Sequence, residues 1–223
     1  MIDHYVWRGG REVLLRFGPP AGPVVLVALP LFEEGNRVRA LAGTLCRALA
    51  DRGVASLIPD VPGHGESLVP LEDCTLGDLR QAFDAAWEGA RFMNRPPRVV
   101  SVRSGALLAP TAADHWCLSP QDKADLLRQL KRIRQGATIR CDAADRDTIA
   151  GHPISPTFLA DLAIPDTIPP SRTRIVRLNR DPRDADRHVP GNPLWHRAEP
   201  DNDPGLARAL AEDIALWIAS CGA

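Results

Sequence analysis

The chain has 223 residues, 44% hydrophobic and 25% charged, with a formal net charge of -1. That length suits one α/β domain with a sizeable core, or one domain carrying a small inserted cap. A charge so near zero gives no electrostatic reason to expect nucleic acid or an anionic membrane as partner, and both are set aside. Met1-Ile2-Asp3-His4 is neither a basic leader nor a signal-type apolar core, and no apolar run is long enough to span a bilayer, so a cytoplasmic protein is expected. Cys46, Cys74, Cys117, Cys141 and Cys221 are odd in number and scattered, with no Cys-x-x-Cys. Reduced thiols, no metal site and no cofactor are the expectation.

Tyr5–Trp7 and Val13–Phe17, separated by Gly9-Gly10, predict an opening hairpin. The apolar run Pro23–Leu29 predicts a strand buried on both faces. Asn36 is placed to cap a helix carrying Val38, Leu41, Leu45 and Leu49, which Gly53 ends. Val54–Ile58 reads as the next buried strand, and Thr75 with Asp78 as a capping box opening a helix through Arg91. A short strand follows at Arg98–Val100. Alternation of strands and helices with short links implies a mostly parallel, doubly wound sheet. Residues 110–170 carry two helical patterns, Asp122–Gln135 and one opened by Ser155-Pro156, and no convincing strand; they are expected to form a helical cap insertion over the strand ends. Arg174–Leu178 resumes the sheet, and a last helix runs from Leu206 to Ile218. With no repeat or linker, residues 1–223 read as a single domain.

The stretch Ser101-Val102-Arg103-Ser104-Gly105 carries the most information. A nucleophile elbow needs small residues two before and two after the nucleophile, because strand and helix approach closely there. Ser101 and Gly105 meet that spacing, and the residue they bracket is Arg103. A guanidinium stays protonated and cannot attack an acyl carbon. Making Ser104 the nucleophile would put bulky Val102 in the tight position. Asp60-Val61-Pro62-Gly63-His64-Gly65-Glu66-Ser67 matches the D-x-x-G-x-G-x-S turn common to α/β hydrolases; Gly63 and Gly65 suit positive φ, and His64 is a candidate ligand contact.

Leu29-Pro30-Leu31-Phe32-Glu33-Glu34-Gly35-Asn36-Arg37-Val38-Arg39 resembles the P-F-x-E-E-x-N-x-x-R signature of the exosortase A system-associated hydrolases, type 2 subfamily. Their elbow, G-L-R-x-G, likewise has arginine at the nucleophile position, and Ser101 here replaces the first glycine. The resemblance continues through His115-Trp116, Ser119, Gln129-Leu130, Arg132, Ala150-Gly151-His152, Ile154-Ser155-Pro156, Val189-Pro190-Gly191 and Leu194-Trp195. It implies an α/β-hydrolase fold and a bacterial protein encoded with exopolysaccharide and protein-sorting systems. It implies no particular reaction.

A triad acid would follow a late strand, where Asp181 and Asp184 stand, and a histidine would come later, at His188 or His196. The dozen or so residues between them are too few for the usual intervening helix and strand at ordinary lengths. Arg103, Glu33, Glu34, Asn36 and His196 are the residues expected to carry any chemistry, and Phe32, Arg39, His64, Ser104 and Trp195 those expected to bind. Glu33 and Glu34 make sense as partners of Arg103, Arg37 or Arg39. His115-Trp116 and Trp195-His196 each set an aromatic beside a histidine near the expected cleft mouth. The expected activity is binding or modifying a small acylated or anionic intermediate of envelope polysaccharide assembly without a serine nucleophile. The alternatives are a non-catalytic scaffold and a serine esterase using Ser104. A small-molecule ligand and a homodimer are the partners considered.

Overall fold

A computed structural model describes residues 1–91, 97–137, 148–149, 151–165 and 172–221. The first two segments pair as a hairpin of β1 (Ile2–Trp7) and β2 (Gly10–Phe17), with Ile2 opposite Leu15. The apolar run becomes β3 (Val24–Ala28), buried along its length, and after α1 (Glu33–Ala50) the chain returns as the equally buried β4 (Ala55–Pro59). There follow α2 (Leu76–Arg91), β5 (Arg98–Val102), a 3₁₀ turn over Arg103–Leu108, and β6 (His115–Leu118). Then come α3 (Lys123–Ala137), α4 (Pro156–Ala163), β7 (Thr173–Leu178), β8 (Arg187–Val189) and α5 (Pro204–Ser220).

The eight strands form one sheet in the order β1-β2-β4-β3-β5-β6-β7-β8, parallel from β4 to β8, with β2 antiparallel to β4. Strands covered on both faces must be apolar on both, which is why β3 and β4 read as runs rather than alternations. Val25, Val27, Val100, Trp116 and Val176 face α1 and α5; Leu26, Val99 and Ala28 face α2, α3 and α4.

The caps follow local chemistry. Thr75 and Asp78 bond reciprocally at the start of α2, Ser155 Oγ accepts from the Phe158 amide ahead of Pro156, and Asp203 caps α5. Asn36 does not cap α1. That helix starts four residues earlier than an Asn36 cap would give, with Phe32 at the cap position at a positive φ (φ 60) and no side-chain cap. Glu33 and Glu34 in its first turn supply the negative charge that the free amides favour.

Two further expectations are corrected. Residues 110–170 contain a strand: His115–Leu118 is β6, paired on both sides, and the helical part begins at Lys123. Four residues with a histidine at one end give too short a pattern to read, and their burial comes from the neighbours. A strand also stands between Asp181 and His196, because β8 follows β7 in parallel over residues 179–186 with no helix between them. Among the described residues no helix is long and apolar enough to cross a membrane, and Cys46, Cys74, Cys117 and Cys221 are unbridged. Cys141 lies outside the described residues.

Candidate ligand site at the strand ends

Three residues other than glycine take a positive φ among the described residues, and each follows a neighbouring strand of the sheet. They are Phe32 after β3 (φ 60), Arg103 after β5 (φ 54) and Ser119 after β6 (φ 46). Such conformations cost about 1–3 kcal/mol each and persist where the surroundings over-determine them. The turn at Arg103 has the close approach that its spacing anticipated: a Cβ on Gly105 would lie 2.3 Å from the Ala28 carbonyl oxygen. The chain continues from Arg103 as a six-residue 3₁₀ turn and not a long helix, so the dipole opposing a cation there is small.

Arg103 is buried, and Glu34 faces it. Arg103 Nε donates to Glu34 Oε2 at 3.1 Å and a terminal nitrogen to Oε1 at 3.4 Å, while the other terminal nitrogen reaches the Ser119 carbonyl at 3.4 Å. The Trp195 ring lies 5.1 Å from the guanidinium carbon, within cation–π range. From α3, Gln129 donates to Glu34 Oε1 at 2.9 Å, and Gln121 donates to Gln129 at 2.6 Å. The elbow thus holds a buried, internally neutralised knot joining α1, the β5 turn, the β6 end, α3 and the loop after β8. One helix turn decides which glutamate takes part: Glu33 points outward, 3.6 Å from Arg37 and from His152 Nε2. Arg37 in turn donates to the Trp195 carbonyl.

Ser104 is buried, and its Oγ accepts the Leu31 amide at 2.9 Å. In this kind of elbow an amide of the β3–α1 loop helps form the oxyanion hole, and here that amide is already engaged. Ser101 Oγ lies 2.7 Å from His115 Nε2, inside the sheet layer. His115 and Trp116 are therefore not at a cleft mouth: Trp116 crosses to the other face and donates to Asp213 at 2.8 Å. Asp181 is bonded by Arg183 and Arg177, and these bonds hold its carboxyl far below the usual range despite some burial. His188 Nε2 lies 3.1 Å from the Asp181 backbone carbonyl, and Asp184 serves Arg177 through its own carbonyl. His196 is exposed beside Trp195, its pKa lowered by partial burial and then by Arg103. Asp181 and His196 follow β7 and β8 in triad order, yet the Asp181 carboxylate is bonded to arginines and not to His196.

Beside the knot lies an open cavity of about 200 Å³. Its floor is the Pro30–Phe32 loop and the end of β4; Asn36, Arg39, His64 and His152 stand around it. Gly63 and Gly65 have the positive φ their motif calls for (φ 73 and 64), and a Cβ on Gly65 would strike Asp60. Arg39 is bound to buried Asp60 at 2.7 Å, and Asp60 also takes the Glu66 amide. The Phe32 ring packs against His64, His152 and Phe158, with centroids 5.4, 6.0 and 5.4 Å away. In the sequence His152 stands out only through the family resemblance, and Gln121 not at all. Neither carries a local signal, because chain folding alone brings them to the site. Among the described residues no group of three His, Cys, Asp or Glu is arranged to hold a metal ion.

A larger cavity, about 740 Å³, lies elsewhere, against His115, Cys117, Ile175 and Arg177 on the α2 side of the sheet. Burial pushes the Cys117 thiol up to about 12 and His115 down to about 4, so neither is poised for nucleophilic work.

Compared with solved structures, the chain matches Est1E from Butyrivibrio proteoclasticus, bound to ferulic acid, at 16% identity and TM-score 0.59 over 98% of both chains. It matches a malate-bound thermophilic esterase from Thermogutta terrifontis at 14% identity and TM-score 0.55, over 99% of this chain and 98% of that one. The fold is that of the α/β-hydrolases. The bottromycin epimerase BotH, in complex with bottromycin A2, also matches, at 14% identity and TM-score 0.50 over 100% of this chain and 99% of the other. No protein-family model and no curated protein matches the chain. At these identities the α/β-hydrolase likeness is one of architecture, and that architecture hosts more than one chemistry.

Proposed function

We propose that this α/β-hydrolase-fold chain is a cytoplasmic protein of the exosortase A-associated type 2 kind. It binds, or modifies without an activated serine, a small acylated intermediate of envelope polysaccharide assembly. The observation that carries this reading is the buried Arg103–Glu34 pair at the elbow. A guanidinium there is no nucleophile, and Glu34 already neutralises it, which favours an acylated ligand over an anionic one. The esterase alternative through Ser104 is disfavoured by its engagement with the Leu31 amide and by the lack of a bonded acid–histidine pair at His196. The open cavity beside the knot favours a ligand over a purely scaffolding role.

An alkyl fluorophosphonate, which labels serines primed by a histidine, tests this directly. The protein is expected to stay unmodified, and Arg103→Ser to show no gain in ester turnover above background. Stoichiometric labelling at Ser104 or Ser101 would establish the esterase instead.

A further inference from the structure

We propose that the cavity beside the elbow recognises a neutral, polyhydroxylated group, through a hydroxyl that donates to His64 Nε2 and C–H groups that lie along the Phe32 ring. This rests on the cavity being a ligand site, and it adds the chemistry of the ligand.

The His64 ring has a determined polarity. Its Nδ1 lies 3.0 Å from the Pro62 carbonyl oxygen, which can only accept, so Nδ1 carries the proton and Nε2 presents a lone pair. That Nε2 is shielded from bulk water and has no hydrogen-bond partner among the described residues. Burial keeps the ring neutral near pH 7 by pulling its pKa down to about 4. His64, which lines the cavity, thus has an unused acceptor, and such a buried atom costs free energy until a donor meets it.

The second unused atom is His152 Nε2; at 3.6 Å from Glu33 it is too far for a hydrogen bond. Whichever tautomer His152 adopts, a hydroxyl satisfies it, because O–H both donates and accepts. The Asn36 amide at the rim offers both roles as well. Charge excludes the other donors. Among the described residues the charged ones lining the cavity are Arg39 and Asp60, bonded to each other at 2.7 Å, and Glu33, near His152, is also 3.6 Å from Arg37. With its charges matched internally, the cavity would not repay the desolvation of an ammonium group or a phosphate. Phe32, one of the lining residues, supplies apolar surface for the C–H side of a saturated ring, and about 200 Å³ suits one such ring.

The test is a titration of the full chain, labelled with ¹⁵N-histidine, at pH 7. The probes are myo-inositol, methyl glucoside, tetramethylammonium and inorganic phosphate. Inositol or the glucoside is expected to shift the His64 Nε2 resonance in the direction of an accepted hydrogen bond. His64→Phe is expected to weaken that binding about tenfold, while His64→Gln, which keeps an acceptor, preserves more of it. No shift from either polyol up to its solubility limit overturns the proposal. So does a response confined to tetramethylammonium or phosphate. Because fluorophosphonate labelling is read on a different group, failure here leaves the serine-free reading standing, and the converse holds too.

Discussion

At the scale of single residues, Arg103 shows what spacing can and cannot reveal. Ser101 and Gly105 announce a tight turn, so the position of Arg103 is legible in the sequence. Its partner is not: Glu33 and Glu34 are adjacent and chemically alike, and only the start of α1 at Glu33 turns the second of them inward. The pair is buried on both sides, at 8% side-chain exposure each. Removing one member of such a pair leaves a stranded charge and costs about 3–5 kcal/mol, whereas replacing both with apolar groups costs far less. Arg103→Met is therefore expected to lower the denaturation midpoint strongly, and Arg103→Met with Glu34→Leu to recover most of the loss. Chemical denaturation of the three proteins measures this, and an unchanged midpoint for the single variant would defeat the structural role.

At the scale of elements, the last helix is tied to the sheet by one carboxylate. Asp213 on α5 accepts from Trp116 on β6, from Arg174 on β7 through two bonds, and from Arg187 on β8, all at 2.8–2.9 Å. Burial alone would raise its pKa; these bonds outweigh burial and bring it from 3.8 down to about 2. A folded pKa below the unfolded one gives stability that is present above about pH 4 and lost as pH falls toward 2. Asp213→Asn is expected to cost about 3 kcal/mol at pH 7, the low end for a broken buried pair because both arginines keep contact with water. Its stability should also fall less between pH 4 and 2 than the wild type's does. Urea melts across that window check it, and parallel curves would rule out the linkage. In the sequence Asp213 is one acidic residue within a helical pattern; its partners come from three strands that pair only after folding.

At the scale of the whole molecule, two neutral histidines set an acid limit. Burial lowers both His115 and His64 from 6.5 to about 4, the first within the sheet and the second beside the cavity. Since the unfolded chain binds these protons more readily, stability is complete above about pH 6.5 and declines as pH falls toward 4. The melting temperature should drop over that interval, and His115→Gln should flatten roughly half of the drop, leaving the His64 share. A variant profile parallel to the wild type's would show that His115 contributes nothing.

Much of the architecture was readable because it rests on local rules. Runs of β-branched and aliphatic residues form buried strands, Ser155-Pro156 and Thr75 with Asp78 open helices, and Gly63, Gly65 and Gly105 mark turns that a side chain would obstruct. The strands β6 and β8 escaped the same reading because each is too short to show a period, and neighbouring strands hold it in place. The knot of Arg103, Glu34, Gln129 and Trp195 joins side chains that lie far apart in the sequence and come from separate elements, as does the cavity of Phe32, His64 and His152. Strand and turn propensities act over a few residues and are written locally. Neutralising a buried charge, or leaving one acceptor bare, depends on which groups meet in space, and tertiary packing alone arranges that.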